Sequence, residues 1–174
     1  MPKFLKTLLA IAAVLVIAFF ALKNWTKSSS PEATSELTSG DLSVKVTYCQ
    51  PAVKGRVIFG ELVPYDQVWR TGANEATLIN FSRDVDFAGA SVSAGEYTLW
   101  TIPTPGDWTI ILNKQTGQWG TNYSEEDDLV RVEVPAEQTS ESQEMFTISM
   151  SLGAEDEVIM NLNWDKTSVD VPIK

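Results

Sequence analysis

Gly95-Glu96-Tyr97-Thr98-Leu99-Trp100-Thr101-Ile102-Pro103-Thr104-Pro105-Gly106-Asp107-Trp108-Thr109-Ile110-Ile111-Leu112-Asn113 decides the fold class. Two runs rich in β-branched and aromatic residues flank Pro103-Thr104-Pro105-Gly106-Asp107, a turn by composition. Glu96–Ile102 is apolar on both faces, which predicts a central strand. Trp108–Asn113 is then predicted to return antiparallel to it.

The period stays at two on both sides of this hairpin. Leu42, Val44, Val46 and Tyr48 alternate with Ser43, Lys45 and Thr47. Thr77 to Ser82 reads as a strand, and Val85 to Val92 as a tight hairpin around Ala88-Gly89. Leu129 to Val134 and Met145 to Leu152 alternate as well. Val158, Met160, Leu162 and Trp164 share one strand face, Asp165-Lys166 is predicted to turn, and Val169, Val171 and Ile173 close the chain. About nine or ten short strands without a soluble helix predict an all-β, antiparallel β-sandwich of jelly-roll type, with a barrel as the alternative.

Phe4 to Leu22 is apolar apart from Lys6 and Thr7. About 19 helical residues span roughly 28 Å, close to the hydrocarbon thickness of a bilayer. We expect residues 1–23 to form a signal anchor that meets the membrane through residues 4–22. A cleaved signal peptide is the rival, but Ala18 and Ala21 are badly spaced for cleavage before Leu22-Lys23-Asn24-Trp25. Trp25 suits an interface. Residues 24–38 read as a polar linker and 39–174 as the folded domain, placed on the extracytoplasmic side of a cell membrane, or secreted if the segment is cleaved.

Composition removes many chemistries. The chain has 174 residues, no His and a single Cys, Cys49, so His-based catalysis, His–Cys zinc and an internal disulfide are excluded. Net charge is −10, and four of the 13 basic residues lie before Ser28. Such an acidic domain repels nucleic acid. Gly55 to Gly60 has phosphate-loop glycine spacing, yet Glu61 and Leu62 stand where Lys and Ser/Thr are needed. Cys49, with no His to activate it, reads as a buried inert thiol. Glu125-Glu126-Asp127-Asp128 and Glu155-Asp156-Glu157 lack the calcium-loop pattern and read as solvated acidic loops. Neither a metal nor a cofactor is called for. Four of the tryptophans, Trp69, Trp100, Trp108 and Trp164, are expected in the core.

The long connection Tyr48 to Thr77 is where function is sought. Pro51, Gly55, Gly60, Pro64 and Gly72 interrupt regular structure, while Arg56, Tyr65, Arg70, Asn74 and Glu75 supply charge, donors and an aromatic ring. Arg offers a donor fork for carboxylate or phosphate, Asn both donor and acceptor, and Glu an acid or base. Trp119, in the polar loop Gly117-Gln118-Trp119-Gly120, is the sixth ligand-binding candidate. The bland alternative is a buried Arg70–Glu75 or Arg56–Glu75 pair that braces the connection. Three functions compete: a binding module for a small polar or sugar-like ligand or an envelope partner; a hydrolase or lyase using Glu75 with Asp66; and a purely structural envelope protein. Two catalytic carboxyls would have to stand roughly 5–10 Å apart across a cleft.

Pro51-Ala52-Val53-Lys54-Gly55-Arg56-Val57-Ile58-Phe59-Gly60, Leu62-Val63-Pro64-Tyr65 and Val68-Trp69-Arg70-Thr71-Gly72-Ala73-Asn74-Glu75-Ala76-Thr77 closely resemble a bacterial family catalogued as a domain of unknown function, twenty-nine-eleven in that series. Ala94-Gly95-Glu96-Tyr97-Thr98-Leu99, Trp108 to Lys114 and Gln118-Trp119-Gly120 extend the resemblance across roughly Ser39 to Ile173. It implies a secreted or envelope protein, and it implies no activity and no catalytic residues.

Overall fold

In the computed structural model, residues 2, 4–5, 8–9, 11–16 and 28–174 are described. Ten strands follow in order: β1 Glu32–Ser39, β2 Leu42–Cys49, β3 Thr77–Phe81, β4 Val85–Phe87, β5 Ala90–Val92, β6 Gly95–Ile102, β7 Trp108–Asn113, β8 Asp128–Val134, β9 Ala136–Leu152 and β10 Val158–Ile173. They form a six-stranded sheet, β1-β2-β3-β6-β7-β8, and a four-stranded sheet, β5-β4-β10-β9. All pairings between named strands are antiparallel. The larger sheet is close to a meander; the chain leaves it only for the β4–β5 hairpin and the long β9–β10 ribbon.

Alternation explains the layering. Leu42, Val44 and Val46 of β2, Ile79 and Phe81 of β3, and Ile110 and Leu112 of β7 face inward and meet Ile148, Met160, Leu162, Val169 and Val171 of the smaller sheet in one core. The hairpin β6–β7 is buried on its outer face too. Trp100 opposes Ile111 across the pair, and Tyr123 covers them from the following loop with its ring 5.0 Å from Trp100.

Two expectations are corrected. Residues 32–38, read as linker, belong to the edge strand β1, which is paired residue for residue with Glu32 against Cys49 and Ser39 against Leu42. Its inward positions are small or apolar, Ala33 and Leu37 packing on the core, so its alternation is faint in the sequence. Asp165-Lys166 does not turn the chain. Asp165 adopts a positive φ of 50° and the β9 register shifts on either side of it, so β10 continues through a bulge.

The expected span 4–22 and Trp25 fall partly or wholly outside the described residues. Among those described, no helix is long and apolar enough to cross a membrane.

Candidate functional site

The 50–76 connection crosses one end of the sandwich and is pinned to both sheets. Trp69 and Thr101 of β6 exchange two main-chain hydrogen bonds, at 2.7 and 2.9 Å. On the other side Phe146 N donates to Pro51 O at 2.9 Å and Val53 N to Glu144 O at 2.8 Å. Ile58, Val63 and Trp69 plug the end of the core. There Trp69 stacks on Trp164 at 5.7 Å and 16° between planes, with Phe59 edge-on to Trp108 at 4.9 Å. Burial of several large aromatics fixes a segment that has no ladder of its own.

Beyond Trp69 the chain bends sharply. Thr71 has φ 51°, Gly72 φ 151° and Asn74 φ 62°. Gly72 is required on two counts. Its φ lies outside the range L side chains favour, and a Cβ would stand 2.9 Å from Cys49 O. Thr77 Oγ1 donates to Thr71 O at 2.8 Å and ties the bend to β3.

These bends open a pocket of about 320 Å³ lined by Arg56, Arg70, Gly72, Ala73 and Asn74 together with Pro51, Leu62, Val63, Trp69, Trp164 and Ser30. Three of the six sequence candidates, Arg56, Arg70 and Asn74, thus meet in one cavity. Arg56 sits exposed, its Nε and Nη2 donating to the carbonyls of Val53 and Ala52. Asn74 is 9% exposed and its Nδ2 donates to Ser30 O at 3.4 Å. Arg70 is half-buried and, among the described residues, makes no hydrogen bond and no ion pair. Burial lowers its pKa below the ordinary arginine value. Desolvation without a counter-charge disfavours the cation.

The other three candidates lie elsewhere. Glu75 lines a second pocket of about 160 Å³ with Cys49, Tyr48, Thr47 and Gln118. There Cys49 Sγ donates to its Oε2 at 3.9 Å. Trp119, 39% exposed, forms an isolated bridge with the Glu75 backbone and lines neither pocket. Tyr65 packs on Gly60. Asp66 is exposed and lines neither of these two pockets. Among the described residues neither Arg56 nor Arg70 pairs with Glu75; hydrogen bonds and aromatic packing tie the connection to the sheets.

Two site residues escaped the sequence. Trp164 reaches the pocket from β10, and its alternating pattern signals only core. Gly120 packs against Arg70 and Asn74: its N–H donates to Asn74 O at 2.9 Å, and a Cβ there would meet Arg70 Cδ at 2.5 Å. The acidic loop is also more than solvated charge. Asp128 accepts from Tyr123 Oη at 2.7 Å, Arg131 Nε at 2.8 Å and Asn113 Nδ2 at 2.9 Å.

A family model described as a protein of unknown function (DUF2911) matches residues 30–173, including β1. No curated protein and no solved structure matches the chain.

Proposed function

We propose, on the premise that this chain belongs to the DUF2911 family and takes no activity from that membership, that it is a binding module for a small polar ligand. One observation carries this. Arg70, half-buried and without a partner among the described residues, faces a pocket shared with Arg56 and Asn74 on a connection fixed to both sheets. A guanidinium kept out of water costs stability unless something pairs with it, and a rigidly held donor fork is what orients a polar ligand. The pocket's size is that of small-molecule sites.

The apolar run within 4–22 supports an uncleaved membrane anchor, which would hold the module on the extracytoplasmic face. Sedimentation of the full chain with membranes, resistant to carbonate and high salt, tests the anchor. For the pocket, thermal shift of the full chain against a panel of small polar metabolites is the test. At least one class should raise the midpoint in the native chain and not in Arg70→Gln. A panel whose shifts are the same in both proteins would sink the assignment.

A further inference from the structure

We infer that the pocket's ligand is an organic monoanion, a carboxylate on an apolar body; the inference rests on the binding reading above and specifies it. Four observations converge. Among the described residues, no Asp or Glu lines the cavity. Neither Arg56 nor Arg70 appears in an ion pair among the described residues, although the chain carries 23 acidic residues against 13 basic ones. Trp164, which lines the cavity, keeps its indole N–H buried with no acceptor among the described residues. The N–H groups of Gly72 and Ala73 likewise donate to no described main-chain carbonyl.

The unmet need is therefore for an acceptor that bears negative charge. An unsatisfied buried donor costs on the order of 1–3 kcal/mol, so an acceptor that reaches it gains most of that back. Charge balance selects the class. Arg70 is the half-buried cation; Arg56 stands at the exposed mouth with two of its nitrogens already donating to carbonyls. One desolvated guanidinium matches one negative charge, and a planar carboxylate fits its fork bidentately. A phosphate dianion would leave a charge to be desolvated against Trp69 and Trp164. Those indole walls suit an apolar or aromatic body instead.

The test uses the full-length chain in a non-ionic detergent, observed by nitrogen-15 NMR at the arginine Nε–H and indole Nε1–H resonances. Phenylacetate, its neutral isostere phenylacetamide and inorganic phosphate are titrated separately at constant ionic strength to about 50 mM, well past fragment affinities in the millimolar range. Phenylacetate should shift the Arg70 and Trp164 signals saturably, and Arg70→Gln should weaken that response by about tenfold or more. Phenylacetamide should bind at least about tenfold more weakly. Equal responses to both aromatic probes would overturn the anion and leave the polar-ligand pocket standing. A response to phosphate alone would overturn the carboxylate. No saturable shift of these signals with any probe would overturn the inference and, with a flat metabolite panel, the binding reading as well.

Discussion

Gly120 lies so close behind Arg70 that a methyl group in place of its hydrogen would stand 2.5 Å from Arg70 Cδ and 2.7 Å from Asn74 O. The second contact is to backbone and cannot swing aside. Gly120→Ala is expected to displace the Arg70 side chain, to lose about 1–3 kcal/mol of stability, and to abolish ligand-induced thermal shifts. Denaturant melts with and without ligand check both parts. A variant of native stability with native binding would mean the glycine is not what seats the guanidinium.

Arg70 itself should be dispensable for folding. It makes no polar contact among the described residues, so Arg70→Met removes a desolvated cation and keeps the packing of the stem. Stability is expected to stay within about 0.5 kcal/mol of the native chain or to rise. A loss of about 3–5 kcal/mol, the signature of a broken buried pair, would identify a brace instead of a site.

Tyr48 is the opposite case. Its hydroxyl accepts from Ile148 N at 2.8 Å and lies 3.3 Å from Ile148 O, to which it donates, joining β2 of one sheet to β9 of the other. Burial pushes its pKa above 10. Tyr48→Phe strands a buried donor and a buried acceptor. Urea unfolding should show a loss of about 1–3 kcal/mol, with ligand binding unchanged because Tyr48 does not line the Arg70 pocket.

Alkaline pH should destabilise the domain through Tyr123. Burial first, then the hydrogen bond to Asp128 and that carboxylate's charge, push its pKa up to about 12, against a weaker downward pull from Arg131. The native state thus holds the phenolic proton more tightly than the unfolded chain. This stabilisation is complete below pH 10, the ordinary tyrosine value, and is lost as pH rises toward about 12. Tyr48 titrates in the same sense. Guanidinium melts across that window should show stability falling with pH, and less steeply in Tyr123→Phe. An unchanged slope in the variant would exclude Tyr123 as the source.

Most strands were legible because each inward face is apolar every second residue, as in β2, β3 and β10. β1 was not, since Ala33 and Leu37 are its main apolar inward positions and the register with β2 holds it in place. Half of the site was legible for a similar reason. Arg56, Arg70 and Asn74 are polar residues on a segment that must be rigid, so convergence was a fair expectation. Glu75 went to the other pocket because neighbouring residues of an extended bend face opposite ways, and the bend's φ values are set by Gly72 and its contact with Cys49 O. Trp164 and Gly120 arrive from distant parts of the chain by tertiary packing, which no local pattern encodes.

The bulge at Asp165 keeps the chain in phase. Up to it the buried residues of β10 carry even numbers, Val158, Met160, Leu162 and Trp164; beyond it they carry odd ones, Thr167, Val169, Val171 and Ile173. The three-position step from Trp164 to Thr167 works like a half-step in a two-beat rhythm. Removing Lys166 alone would leave Thr167 two positions after Trp164, so strict alternation would keep Thr167, Val169 and Val171 toward the core and only the bulge would be lost. Removing Asp165 and Lys166 together would set Thr167 beside Trp164 and turn Ser168, Asp170 and Pro172 toward the core while Val169 and Val171 faced water. The last seven residues of the strand are thus tied to a reading frame of side-chain faces, set one residue after the tryptophan that lines the pocket.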